Sequence, residues 1–196
     1  MSTLATTNIK HASSSSNNIV LGSDGSAYMP GHIVQVVATN VTATSSVSIS
    51  TTWTDTPLTA SITPTYATSK ILVSSTIFSE LTYAPYYQRF RYSRAISGGS
   101  TTNITAPTDG NRGSVMGTGV EGWGGGDDSN RGSTPTQTSF TNYLDSPNTT
   151  SAVTYTLQAA VAQGTKTMYI NRSAGATDSD AYENGLSWIT LMEVAA

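Results

Sequence analysis

Residues 152–161, "AVTYTLQAAV", alternate without a break: Val153, Tyr155, Leu157, Ala159 and Val161 fall on one side, Thr154, Thr156 and Gln158 on the other. Successive side chains of a strand point to opposite faces, so a period of two reads as a strand with one face in a core and one in water. The same signature recurs outward from this stretch. "PLTASITP" at 57–64 sets Leu58, Ala60 and Ile62 against Thr59, Ser61 and Thr63, and Pro64 ends the strand. "SKILVSSTIF" at 69–78 places Ile71, Val73 and Ile77 on one face, with Leu72 and Phe78 on the other. In "YYQRFRYSR" at 86–94, Tyr86, Gln88, Phe90 and Tyr92 go one way while Tyr87, Arg89, Arg91 and Ser93 go the other, which disfavours a helix.

Further strands complete the set. "HIVQVVA" at 32–38 is a β-branched run without a helical period, suited to a strand covered on both faces. "TSFTNYLDSP" at 138–147 reads as a strand running into an Asp-Ser-Pro turn. "KTMYINR" at 166–172 follows Gln163-Gly164-Thr165, which predicts a hairpin with 152–161. "LSWITLMEV" at 186–194 closes the chain with Trp188, Ile189, Leu191, Met192 and Val194. About eight strands and no convincing helix predict an all-β protein, a sandwich or jelly roll.

Composition agrees. A chain of 196 residues suits one domain with a real core, assigned to 31–196. Charged residues make up 11%, against about 25% in an average soluble domain. Threonine, which favours strands, and serine and glycine, which favour turns, supply the missing polarity. The net charge is −3 and the concentrated basic stretch is limited to Arg89, Arg91 and Arg94, so no nucleic-acid partner is expected. No apolar run approaches the roughly 20 residues that span a bilayer, so no membrane partner is expected. "MSTLATTNIK" lacks the apolar core of a secretory signal. With no cysteine there is no disulfide framework and no thiolate chemistry, and association into an oligomer is the expected source of further burial.

Residues 1–30 read differently from the rest. "NIKHASSSSNNIVLGSDGSAYMPG" carries short apolar runs, Ile19-Val20-Leu21 and Ala27-Tyr28-Met29, either side of an Asp-Gly turn. They predict a tiny hairpin or two extended pieces, too small to be stable alone. A second irregular region, the Gly-rich loop at 106–135, holds nine of the 17 glycines between Gly110 and Gly132. Loops this long are uncommon and often functional, and Trp123 with Asp127 and Asp128 forms its candidate receptor-binding surface.

Catalysis is not expected. The two histidines, His11 and His32, show no metal-ligand spacing, and no Gly-x-Ser-x-Gly elbow occurs. Glu121, Asp127 and Asp128 cluster beside Gly124-Gly125-Gly126, a poor support for the rigid carboxylate pair a glycosidase needs. Asp109 or Asn130 would extend that cluster toward a weak calcium site, but the twelve-residue calcium-loop pattern is absent. No cofactor and no metal are therefore expected. Arg89 and Arg91 with Tyr87, together with Trp188, are candidates for a subunit interface, since Tyr, Trp and Arg are enriched at hot spots. Asn-x-Ser/Thr sequons at Asn40, Asn103, Asn148 and Asn171 carry little weight in so threonine-rich a chain.

Taken in order, "NIKHASSSSNNIVLGSDGS", "GHIVQVV", "WTDTPLTASITPTYATSKILV", "SFTNYLDSP", "VTYTLQAAV", "TMYINRS" and "SWITLMEVA" resemble small structural proteins and fibre tips of tailed bacteriophages. The resemblance covers almost the whole chain, and its most specific pieces, "SITPTYATSKILV" and "ITLMEV", lie on strands. It implies a homotrimeric jelly roll of the tumour-necrosis-factor type, displayed on the virion surface. It also implies that residues 1–30 are an anchoring arm that docks on a capsid or tail protein, with Ile9, Ile19, Val20, Leu21, Tyr28 and Met29 as its anchors. The chain lacks the heptads or repeats of a fibre shaft, and an arm of this length reaches at most about 100 Å. That suits a capsid decoration or cement protein or a short head fibre. The alternative is a tail-fibre tip that binds a host receptor or glycan.

Overall fold

A computed structural model describes residues 6–15, 19–21, 23, 27–81, 88–119, 135–175 and 182–196. Their strands, β1 to β14 in chain order, are Asn8–Ile9, Ile19–Leu21, Ala27–Tyr28, Ile33–Val41, Ser45–Ile49, Thr54–Ile62, Lys70–Leu81, Arg89–Ile96, Thr101–Ile104, Gly117–Thr118, Thr136–Asp145, Val153–Ala160, Lys166–Ile170 and Ser187–Val194. All pairings are antiparallel, and no helix occurs among the described residues.

The alternating segments form two sheets. In the first, β4, β14, β7 and β11 lie side by side, and β13 and β5 continue from the far end of β7. The second runs β6, β12, β8, with β9 and β10 sharing the outer edge of β8. Apart from the β8–β9 hairpin, neighbours in the two sheets are distant in the chain, so the sandwich is closed by long-range pairing. Between the sheets lie the apolar halves of the alternating segments. Leu58, Ile71, Val73, Ile77, Phe90, Tyr92, Val153, Tyr155, Leu157, Ile189 and Leu191 are all fully buried. Each such aliphatic or aromatic side chain contributes about 1.5–3 kcal/mol over an exposed one. Phe140 of β11 crosses the gap, meeting Phe90 edge-on at 5.5 Å and Tyr92 at 6.3 Å. Its ring leaves no space for a Cβ at position 117, which is why β10 begins with glycine there.

Two expectations need correction. The 152–161 and 166–172 segments are not a hairpin: β12 pairs with β6 and β8 in one sheet, while β13 pairs with β5 and β7 in the other. Both edges of β12 are occupied, so the turn around Gly164, with φ +72°, carries the chain across the sandwich. The 32–38 run is covered on one face only, because Ile33 and Val36 of β4 are 51% and 54% exposed.

The N-terminal hairpin forms with a third strand not foreseen. β2 pairs with both β3 and β1, making a separate small sheet. Its base is fastened to the end of the last strand. Gly31 N donates to Ala195 O at 2.7 Å, Ala195 N donates to His32 O at 3.0 Å, and Tyr28 donates its hydroxyl to Ala196 O and packs edge-on against Tyr66.

One buried charge secures the same corner. Glu193, on the core face of β14, is fully buried and accepts hydrogen bonds from Gln35 Nε2 (2.6 Å), Thr65 N (2.8 Å), Thr65 Oγ1 (3.1 Å) and Tyr66 N (3.3 Å). Burial pushes its pKa up, but these donors outweigh burial and hold it below the ordinary value. A depressed carboxyl pKa contributes stability that is present above the unfolded-state value and lost as pH falls through the folded one. Glu193→Gln is expected to cost about 1–2 kcal/mol near neutrality, since a charge-assisted acceptor is replaced by a neutral one. Urea titrations at falling pH should show the gap between variant and wild type closing in acid. A gap independent of pH would refute the ionised role.

Candidate functional site

The outward faces of the two sheets differ in chemistry. On the first sheet, the register sets Val36, Met192, Leu72 and Leu144 directly beside one another across β4, β14, β7 and β11. Val36 and Leu144, at the two ends of this row, are 54% and 47% exposed. Towards the arm, Ile33, Val194 and Lys70 form the adjoining row. In the other direction Trp188 lies between Asn40 and Thr76. The centre of the face therefore carries no charge. Its apolar residues follow from the pattern: β4, β7 and β14 have branched or sulfur-bearing side chains at positions where β6 and β12 have threonine or serine.

The second sheet turns hydroxyls outward. Thr59 and Thr156 share a hydrogen bond at 3.0 Å, and Ser61 and Thr154 share one at 2.7 Å. Towards β8 the same face carries Arg89, Arg91 and Ser93. Arg91 donates from Nε to Gln158 Oε1 at 2.7 Å, and Gln158 Nε2 donates to Asp55 Oδ1 at 2.7 Å. The Arg91 guanidinium stacks on Trp53 at 4.5 Å from the ring centre.

Arg94 departs from the basic stretch in which the sequence places it. Three residues on from Arg91, it has the parity of Phe90 and Tyr92 and turns into the sandwich. There Nη1 donates to both oxygens of Asp145 at 2.9 Å, and Nη2 donates to Thr102 at 3.1 Å. Tyr155 donates its hydroxyl to Asp145 Oδ2 at 2.7 Å. Burial, and then the contact with Asp145, push the Tyr155 phenol far above its usual pKa. Tyr92, donating or accepting at Ser75 Oγ over 2.6 Å, is pushed up to about 12 by burial. Arg94, Thr102, Asp145 and Tyr155 thus form one inter-sheet network, in which Arg94 Nε is a buried donor without a hydrogen-bond partner among the described residues. Parity alone places Arg94 on the inner face; its partners on β9 and β11 are set by the tertiary fold.

The structure separates the proposed interface residues. Trp188 lies on the outer face of the first sheet, and Arg89 and Arg91 lie on the opposite side of the sandwich, so they cannot belong to one continuous patch. Tyr87, Trp123, Asp127 and Asp128 lie outside the described residues. The described start of the 106–135 loop runs back along β8, with Met116 N donating to Phe90 O and Gly119 N donating to Gln88 O. Of the arm residues, Ile9, Val20 and Met29 are exposed, whereas Ile19, Leu21 and Tyr28 are half-buried. Among the described residues no group of three or more His, Asp or Glu could hold a metal ion. Compared with models of known protein families and with curated proteins, the chain has no significant match.

Proposed function

We propose that this chain is a non-enzymatic structural protein of a bacteriophage particle: a homotrimeric jelly-roll knob that residues 1–30 fasten to the virion as a decoration or cement protein or short head fibre. The strand order supports the jelly roll. The first long strand, β4, lies beside the last, β14, with β7 and β11 next, while β6, β12 and β8 fill the other sheet, the order produced by wrapping antiparallel pairs around a sandwich.

The observation that carries the proposal is the uncharged row Val36–Met192–Leu72–Leu144. Charge-depleted apolar surface of this kind marks the centre of an interface. The resemblance to trimeric jelly rolls supplies the number of copies. Because the arm is fastened at Gly31, His32 and Ala195, beside the Ile33–Val194 row, each copy presents its exposed Ile9, Val20 and Met29 from the rim of that interface. Three arms acting together resist detachment far better than one.

Sedimentation equilibrium of the full chain tests the assembly. Wild type is expected as a trimer, and Leu72→Glu is expected to weaken association by roughly a hundredfold or more, because an unpaired carboxylate is buried at the centre of the row. A wild-type monomer, or a Leu72→Glu trimer of unchanged strength, would sink the proposed interface. Attachment is read separately, by imaging purified particles with and without residues 1–30. A regular shell array that vanishes with the arm fits decoration, whereas a few copies at the tail would move the role to host adhesion.

A further inference from the structure

The outer face of the second sheet holds two cations, Arg89 and Arg91, that form no ion pair with an acid among the described residues. Among the described residues, the ion pairs join Arg94 to Asp145 and Arg112 to Asp109, and neither Arg89 nor Arg91 takes part. Arg91 is nevertheless held firmly. Its Nε is fixed by Gln158, Gln158 is oriented by Asp55, and its guanidinium plane rests on Trp53. What remains is the terminal fork, whose Nη1 and Nη2 have no partner among the described residues. Arg89, two residues earlier on the same face, lies over the backbone of Gly113, where an added Cβ would come within 2.8 Å of Nη1. Glycine there lets the guanidinium settle flat against the loop.

Arg94 shows what such a fork takes. On the same strand, its two terminal nitrogens are taken up by the carboxylate of Asp145 and the Thr102 hydroxyl. Arg91 has the restraint without the carboxylate. Burial lowers its pKa, against the opposing effect of Asp55, so the cation is already partly stripped of water. Preorganised, partly desolvated guanidinium is the strong form of carboxylate recognition.

We infer that Arg89 and Arg91 form a binding site for an acidic saccharide, a sugar carboxylate on the Arg91 fork with its ring hydroxyls along Ser93, Thr156 and Thr59. These three lie in line across β8, β12 and β6, next to Arg91. The face excludes other classes of partner. Among the described residues the exposed large apolar side chains, Ile9, Val20, Met29, Ile33, Val36, Leu144 and Leu186, are all elsewhere, and the one large aromatic beside Arg91, Trp53, is already covered by its guanidinium, which disfavours a protein partner here. A nucleic acid would need a longer basic track than two arginines on a chain of net charge −3. The site does not depend on attachment to a particle and lies on the sheet opposite the proposed subunit interface.

Titration calorimetry of the full chain with trigalacturonate, beside neutral trigalactose, tests it. Wild type is expected to bind trigalacturonate with a Kd of about 1 mM or tighter, to bind less as salt rises, and to ignore trigalactose. Arg91→Gln should weaken binding about tenfold or more, and Arg91→Lys nearly as much, since lysine keeps the charge but loses the fork. Gln158→Leu, which leaves Arg91 in place but unpinned, should give an intermediate loss. Circular dichroism confirms that these outer-face variants stay folded. Failure to bind trigalacturonate, equal binding of the neutral sugar, or unchanged affinity in Arg91→Gln would overturn the inference.

Discussion

Asn171→Ala is expected to destabilise the protein by about 4 kcal/mol, the sum of several buried polar groups left without partners and a strained backbone. Asn171 is fully buried and adopts φ +61°. Its Nδ2 donates to Val41 O at 2.5 Å and to Ala43 O at 3.1 Å, and its Oδ1 accepts from Ser187 Oγ at 2.5 Å. Its backbone bonds to Phe78 and Gly185. One side chain thus ties the turn between β4 and β5 to the start of β14, beside β7. For a domain of this size the loss corresponds to a fall of roughly 8–16 °C in melting midpoint. Asn171→Gly keeps the left-handed conformation cheap, so it should recover about 1 kcal/mol of the loss, the backbone share. Urea melts of both variants check this. A cost below about 1 kcal/mol for the alanine variant would mean that water replaces the amide, and the role assigned to Asn171 would fail.

That residue also shows where sequence reading stops. Asn171 stands in a sequon, and nothing in "NRS" tells a buried amide from a surface one; its partners at Val41, Ala43 and Ser187 come together only through long-range pairing. Most of the longer strands were legible where one face is buried, but β5, whose Ile49 is fully buried, was not foreseen. Leu58, Ala60 and Ile62, or Val153, Tyr155 and Leu157, are driven inward by the same period of two that made them visible. Partner choice was not. Proximity in sequence suggested joining 152–161 to 166–172, yet the edges of β12 go to β6 and β8, strands far away in the chain. The apolar row on the first sheet was hidden for a related reason. A β-branched run such as 32–38 reads as doubly covered, and only the fold reveals that this chain covers one side.

Asp145→Ala is expected to cost about 3 kcal/mol, and adding Arg94→Leu to the same chain is expected to return part of that loss. The reason lies in where the pair sits. Arg94 and Asp145 side chains are 16% and 8% exposed, and they join β8 of one sheet to β11 of the other. Removing the carboxylate strands a guanidinium in poor solvent and leaves the Tyr155 hydroxyl, buried at the end of a 2.7 Å bond, without its acceptor. Removing the cation as well abolishes the unpaired charge, leaving the Tyr155 hydroxyl as the chief unsatisfied group. A double-mutant cycle by urea denaturation measures the difference. Single variants that cost under about 1 kcal/mol would place the pair with exposed ion pairs, where solvent screening leaves little net energy. A double variant weaker than both singles would instead mean that packing by the long side chains, rather than their charges, holds the sheets together at this end. On the expected result, the internal pair fixes how the two sheets meet while adding little net energy. Stability comes from the apolar core, and Arg94 finds inside the protein the carboxylate partner that Arg91, on the outer face, lacks among the described residues.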